Sequence, residues 1–217
     1  FGTGLYLLTM MHAAQYRGLF SASIGALNLL FSFILFRSKK AEINILYLLI
    51  GITLTFISLT APIQLHGHFI TLFWAAECVV IYGLYVKSKI KLMQIASTVI
   101  WGAMICSLCI DWINLYSSSN ATYLIIGNKG FITTLVSAIS CFLFSVLVSK
   151  TETPMRMLPA AVFKFTGLIL LFAAGALEIN HQFLNRYPGT GLHVLYLMLY
   201  YPTFVYVYCQ IADRMPS

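Results

Sequence analysis

From Pro62 to Lys91 the chain reads PIQLHGHFITLFWAAECVVIYGLYVKSKIK. A short polar turn leads into an apolar run that begins at Phe69, and a group of lysines follows the run. About 20 apolar residues suffice to cross the hydrocarbon core as a helix, and lysine is common at the membrane surface. One carboxylate, Glu77, interrupts the apolar run. The sequence therefore predicts a transmembrane helix that carries an acid near its middle.

The composition extends this interpretation to the whole chain. Of the 217 residues, 60% are hydrophobic and only 9% are charged. Soluble domains contain about 25% charged residues, so this chain has too little polar surface to be surrounded by water. At roughly 20 residues for each span, there is room for about seven spans. We therefore predict an all-α fold, a polytopic transmembrane helix bundle.

The apolar segments set the limits of the spans. They divide one transmembrane helical domain, residues 1–217, into spans near 19–36, 43–61, 69–86, 92–116, 131–148, 159–183 and 192–212. Residues 1–17 are too short to span and are predicted to form a partial or interfacial helix. Pro62 is expected to end the second span because proline removes a helical N–H donor. Since the chain begins at Phe1, we expect it to be part of a longer protein.

Small residues within the spans indicate where helices pack. Ser21, Ser23, Gly25 and Ala26 in the first span are predicted to let a neighbouring helix approach closely. The cysteines all lie in apolar segments and are interpreted as small buried hydrophobic residues, not as a disulfide framework: Cys78, Cys106, Cys109, Cys141 and Cys209.

Basic residues are distributed unevenly between the turns. One set of turns carries Arg37–Lys40, Lys87–Lys91 and Lys150–Arg156, whereas the alternate turns carry single basic residues. Lys and Arg are concentrated in cytoplasmic loops, so the richer set is predicted to be cytoplasmic. The net charge of +7 would suggest nucleic acid for a soluble protein. At the ends of membrane spans it predicts lipid headgroups as partners, and no nucleic acid; other membrane protein subunits are further candidate partners.

Glu77 is the strongest candidate for a functional residue. It lies eight residues after Phe69, which places it roughly 12 Å into the bilayer. An ionisable side chain at that depth costs about 2.5–3.5 kcal/mol on insertion scales, so it should face other helices or a water-filled cavity. The functional hypothesis is a polar cavity that opens to the outer side and reaches Glu77. The alternative is a hydrogen-bonded structural acid that orders the bundle.

The other candidates for cavity or substrate contacts lie mainly toward the predicted outer side. They are Gln64, His66 and His68 in an outer turn, Trp74 one helical turn from Glu77, and Asp111, Glu178 and His181 near the outer ends of spans. Near an interface these acids can also simply reach water, and Trp74 can be a packing residue.

Three patterns resemble metal-binding spacings but are incomplete. His66-x-His68 lies in a short turn without a His-Glu-x-x-His helix. Glu178-x-x-His181 occurs once, whereas di-iron bundles use two copies. Cys106-x-x-Cys109 has no second cysteine pair to complete a zinc site. We therefore predict no metal ion and no cofactor.

The run from Thr60 to Glu77 resembles a motif in a family of large bacterial predicted membrane proteins, a domain of unknown function. The family motif reads approximately Pro-x-Gln-Leu-x-Gly-x-Trp-x-Thr-x-x-Trp-x-x-Glu. It matches at Pro62, Gln64, Leu65, Gly67, Thr71, Trp74 and Glu77, with Phe69 where tryptophan is common. Asn128-Lys-Gly-Phe131 is similar to a second family stretch. The resemblance implies a multi-pass protein of the bacterial inner membrane, of which this chain is a C-terminal portion, and it brings no catalytic residues.

Three functions are compatible with these residues. The leading hypothesis is a transporter-like or channel-like protein in cell-envelope biology, with Glu77 in a cavity open outward. An alternative is an intramembrane enzyme on a lipid-linked envelope substrate, using His66, His68, Asp111, Glu178 and His181 at the outer interface. The third is a scaffold subunit of a membrane complex, in which the acids only hold helices together.

Overall fold

The computed structural model describes residues 3, 6, 10, 16–38, 43–116, 127–151 and 158–214. Within these ranges the chain forms helices and no strand, which confirms the predicted all-α fold. The helices are α1 (Arg17–Ser38), α2 (Ile43–Gln64), α3 (His68–Ser88), α4 (Lys91–Tyr116), α5 (Lys129–Ser149), α6 (Ala160–Arg186) and α7 (Leu192–Arg214).

Helices α2 to α7 each contain a segment that is long and apolar enough to cross a membrane. The described part of the chain is therefore that of a multi-pass membrane protein, as predicted. In α1 the apolar segment Leu19–Asn28 is shorter than a membrane span, so the prediction that α1 crosses the membrane stays a prediction. Most of the predicted helix at 1–17 lies outside the described residues, as do residues 39–42 and 152–157 in two of the predicted cytoplasmic turns.

The predicted end of the second span was wrong. Helix α2 continues through Pro62 to Gln64, and the Leu65 amide still donates to the Ala61 carbonyl at 2.8 Å. A proline this close to the end of a helix removes one hydrogen bond, because only the carbonyl four residues earlier loses its donor. That carbonyl belongs to Ser58, which obtains a donor from another helix.

Contacts divide the chain into two compact units, residues 1–107 and 108–217, and the division falls within α4. In the first unit α1 packs against α2, where the Ser21 hydroxyl donates to the Phe56 carbonyl at 3.2 Å. A Cβ on Gly25 would lie 3.4 Å from the Phe56 Cβ. These contacts confirm the predicted close approach at Ser21 and Gly25, whereas Ser23 and Ala26 are exposed.

The second unit is organised around the contact between α5 and α6. A Cβ on Gly167 would lie 3.2 Å from the Ala138 carbonyl oxygen, so the two helix backbones approach closely at this glycine. The Phe144 and Phe163 rings pack with their centroids 4.5 Å apart and are fully buried. Helix α7 is fixed to α6 through polar and aromatic contacts in which the Tyr200 hydroxyl donates to the Phe172 carbonyl at 3.1 Å.

The cysteines are free, and they divide into two groups. Cys78 and Cys141 are buried, as predicted, but Cys106, Cys109 and Cys209 are exposed. The prediction of burial was wrong for these three because an apolar residue in a membrane helix can equally face lipid, which is as apolar as a protein core.

Lys89 ends α3 in a backbone conformation that favours glycine. Its φ is 58°, in the left-handed region, while its N–H donates to the Tyr85 carbonyl at 2.7 Å. Glycine adopts this conformation without the steric penalty of a Cβ. We expect Lys89→Gly to raise the free energy of unfolding by about 0.5–1 kcal/mol, as measured by denaturant unfolding in detergent micelles. Lys87→Gly, a matched change within the helix, should lower it by up to about 1 kcal/mol; equal effects of the two changes would contradict this account.

Candidate functional site

The Ser58 carbonyl is the point where α2 and α3 share a polar contact. Pro62 lies four residues after Ser58 and has no N–H to donate to this carbonyl. The indole Nε1 of Trp74, on α3, donates to the Ser58 carbonyl oxygen at 3.3 Å. The tryptophan therefore supplies the hydrogen bond that the proline removes from α2.

The Ser58 side chain makes a second contact with α3, to Glu77. Its hydroxyl donates to Glu77 Oε2 at 3.0 Å. Glu77 is only 7% exposed, and no donor among the described residues reaches its other oxygen, Oε1, which is itself buried. A buried acceptor without a donor costs about 1–3 kcal/mol. The predicted deep acid is thus half satisfied: one oxygen is fixed and the other can still accept a hydrogen bond.

A pocket of about 380 Å³ lies beside this contact, within the first unit. Its wall is mostly aliphatic side chains of α2 and α4, and its polar members include Ser58, Thr55 and Trp74. Glu77 is not part of the wall, but Ser58 lines the pocket and bonds to Glu77. Ser58 is therefore shared between the pocket wall and the contact with the carboxylate. The predicted polar cavity that opens outward and reaches Glu77 stays a prediction.

The candidates in the turn between α2 and α3 lie at the end of the first unit's helices. Gln64 is the last residue of α2 and is exposed, as is His66. His68 is the first residue of α3, and its ring lies 4.1 Å from that of Phe69. Gly67, with φ of 56°, lets the chain turn between the two helices. His68 precedes Glu77 by nine residues, roughly 14 Å along the helix, so the turn and the deep acid are separate sites.

In the second unit, Glu178 is the centre of a polar cluster. The carboxylate is 6% exposed, and its two oxygens accept from different amides. Asn128 Nδ2 donates to Oε2, and Gln182 Nε2 donates to Oε1 at 3.0 Å. Asn128 is held in turn as the N-cap of α5, because its Oδ1 accepts from the Phe131 amide at 2.7 Å.

The remaining candidates of the second unit surround this cluster or lie on α4. His181 is buried, and its Nε2 atom lies 3.1 Å from Asn185 Nδ2. Its ring meets the Tyr116 ring edge-on, with the centroids 5.4 Å apart. Gly130 has no side chain, and a Cβ there would clash with Tyr116 and with a second side chain of α4. Asp111 is half-buried on α4.

The sequence-predicted candidates therefore fall into two sets. Gln64, His66, His68, Trp74 and Glu77 belong to residues 1–107, and Asp111, Glu178 and His181 belong to residues 108–217. A cavity or substrate site shared by both sets stays a prediction. Within the part of the chain that the structure describes, no group of three or more His, Cys, Asp or Glu side chains is arranged to hold a metal ion.

Sequence reasoning missed two residues that hold these acids. Ser58 could have been found, because a serine four residues before a proline in a helix has a carbonyl that needs another donor. Asn128 also carries a local signal, since asparagine before an apolar helical run is a common N-cap. Neither pattern indicates which carboxylate the side chain would contact.

Comparisons with protein-family models, with curated proteins and with solved structures each return no match. The resemblance to the bacterial membrane family therefore stays a prediction.

Proposed function

We propose that this chain belongs to a membrane transport protein, transporter-like or channel-like, in which the Glu77 carboxylate accepts and releases the transported proton or cation. The observation that carries the proposal is the buried Oε1 atom of Glu77, which no donor among the described residues reaches. A carboxylate with one fixed oxygen and one available oxygen can bind a proton or a cation without breaking a protein hydrogen bond.

The position of Glu77 supports the same function. Helix α3 is 21 residues long, so Glu77, nine residues from its start, lies near the middle of the span. Acids at such a depth are costly and mark ion paths, proton relays or substrate sites in membrane proteins. Ser58 bonds to Glu77 and also lines the adjacent pocket, so it connects the pocket with the carboxylate.

We also propose the setting in which this transport takes place. The resemblance to the bacterial family supports the inner membrane and a role in the cell envelope. The clusters Arg37–Lys40, Lys87–Lys91 and Lys150–Arg156 support a cytoplasmic position for the turns that carry them. On that orientation the turn with His66 and His68 faces outward.

Reconstitution into liposomes tests the proposal directly. The protein would be incorporated into vesicles that contain a pH-sensitive dye, and proton flux would be driven by an imposed pH gradient. Parallel vesicles would contain sodium- or potassium-sensitive dyes. We expect a protein-dependent flux of one of these cations, and we expect Glu77→Gln to reduce it to the level of empty vesicles.

Asp213→Asn is the matched control, because it makes the same acid-to-amide change at an exposed position of α7. The control should retain the flux of the parent protein. Parental flux in the Glu77→Gln protein would show that transport does not pass through this carboxylate and would refute the proposal. If none of the three cations moves through the parent protein, the proposal fails as well.

A further inference from the structure

A second pocket, within the second unit, lies near the end of α6 and is independent of Glu77. It has a volume of about 300 Å³, which is at the lower end of the range for small-molecule sites. Its wall is formed by Glu178, Ile179, Gln182, Phe183, Arg186 and Tyr187. A buried acid, a basic residue and two aromatic rings therefore surround one small space.

The carboxylate of this pocket is held in a fixed orientation. Asn128 and Gln182 each donate to one oxygen of Glu178, and Asn128 is itself fixed by its capping bond to α5. Each carboxylate oxygen can accept more than one hydrogen bond, so a ligand ammonium group can bind without displacing either amide. A site whose charged group is already oriented by surrounding hydrogen bonds loses little entropy when a ligand binds.

The rim of the pocket carries the opposite charge. Arg186 is the last residue of α6 and is exposed, and the exposed Tyr187 follows it. Arginine remains charged and presents a planar set of N–H donors that suits a carboxylate. Helix α6 has 27 residues, about 40 Å at 1.5 Å per residue, whereas the hydrocarbon core is about 30 Å thick. Because the helix is longer than the core is thick, we place its exposed C-terminal end and the rim of the pocket among the headgroups, where a solute can enter from water.

The two charges together select the ligand class. A simple amine would be attracted by Glu178 but repelled by Arg186. A simple carboxylate would be attracted by Arg186 but repelled by Glu178. Both charges are satisfied by a zwitterion. Glu178 and Arg186 are two helical turns apart, roughly 12 Å between their Cα atoms. Both side chains line the same space of about 300 Å³, so a ligand that meets both is small and carries its charges at opposite ends.

We propose that this pocket binds a small zwitterion of the ω-amino acid class, with its ammonium group at Glu178 and its carboxylate at Arg186. The ring of Phe183 packs on Tyr196 of α7, with centroids 4.1 Å apart, and is thereby fixed as an apolar wall for the methylene chain. The ring of Tyr187 lies at the rim, where an aromatic face can also attract an ammonium group during entry.

Calorimetric titration of the purified protein in lipid nanodiscs tests this proposal with three probes of similar size. 4-Aminobutyrate carries both charges, butylamine carries only the ammonium group, and butyrate carries only the carboxylate. We expect saturable binding of 4-aminobutyrate that is at least tenfold tighter than that of either single-charge probe. Glycine, whose two charges flank a single carbon, should bind more weakly than 4-aminobutyrate.

Variants then assign the two ends of the ligand. Arg186→Gln should remove the preference for 4-aminobutyrate over butylamine and leave butylamine binding unchanged or tighter. Glu178→Gln should weaken both of these probes at least tenfold, and Asp213→Asn should change neither. Because Glu178 is buried and its replacement could impair folding, Arg186→Gln at the exposed rim provides the deciding measurement.

Three results would overturn the proposal: no saturable binding across the series, equal affinity of the parent protein for 4-aminobutyrate and butylamine, or an unchanged preference in Arg186→Gln. None of these results depends on cation flux through Glu77, so the two proposals fail independently.

Discussion

Replacement of Glu77 by methionine is expected to raise the protein's stability while it abolishes cation flux. The buried Oε1 atom has no donor among the described residues, and such an atom costs about 1–3 kcal/mol. Methionine is similar in length, flexible and apolar, so it can fill the same space without the unsatisfied oxygen. We expect the free energy of unfolding to increase by about 1 kcal/mol, because part of the gain is offset by the loss of the Ser58 contact.

The Ser58 hydroxyl has an alternative acceptor in the Glu77→Met protein. Two neighbours on α2 already donate to the carbonyl four residues earlier: Thr55 to Gly51 at 2.8 Å and Thr60 to Phe56 at 2.8 Å. The equivalent acceptor for Ser58 is the Leu54 carbonyl. The serine therefore need not remain unsatisfied when the carboxylate is removed, which is why a net gain is expected.

A double-mutant cycle separates a functional acid from a structural one. Ser58→Ala alone should lower the free energy of unfolding by about 1–3 kcal/mol, because it removes the donor to Glu77 Oε2. In the Glu77→Met background the same serine change should cost much less. Thermal unfolding in nanodiscs and flux in liposomes would be measured on all four proteins. A loss of several kcal/mol in Glu77→Met would instead identify Glu77 as a residue that holds the bundle together.

The helices were predictable because their signal is strong and local. The predicted span limits, set by long apolar runs between basic or polar residues, lie within three residues of the observed helix ends. The error at Pro62 arose because a local rule was applied to a position where a tertiary contact compensates. Proline removes a donor wherever it lies, but the Trp74 indole on α3 replaces that donor, and the helix continues to Gln64.

The partners of the acids were not predictable in the same way. Glu77 could be placed near the middle of its helix by counting residues, but its bond to Ser58 depends on how α2 and α3 are rotated about their axes. In a membrane both the packed face and the lipid face of a helix are apolar, so hydrophobic periodicity does not fix this rotation. The contact between Glu178 and Asn128 joins residues 50 positions apart in the sequence, and it too depends on how the helices are rotated. The exposed cysteines at 106, 109 and 209 show the same ambiguity.

Replacement of Gly167 by leucine is expected to separate α5 from α6 and to lower the free energy of unfolding by about 3 kcal/mol. A Cβ at this position would already lie 3.2 Å from three atoms: the Ala138 carbonyl oxygen, the Cys141 Cβ and the Phe142 Cε1. Two of these atoms belong to, or are fixed to, the backbone of α5, so neither a rotamer change nor a small shift relieves the contact. The helices must move apart, and the buried Phe144 and Phe163 contact would loosen with them.

Gly83 provides the matched control, because it is also a glycine inside a membrane helix but a Cβ there would meet nothing within 4 Å. Gly83→Leu should be neutral or stabilising, since leucine favours the helix over glycine by up to about 1 kcal/mol. Hydrogen exchange in nanodiscs adds a local measurement: Gly167→Leu should increase exchange in α5 and α6 and leave α3 unchanged. Equal stability losses in the two variants would mean that bulk in the helix, and not the close α5–α6 approach, determines the effect. A loss confined to Gly167→Leu would instead show that this glycine sets the helix spacing of the second unit.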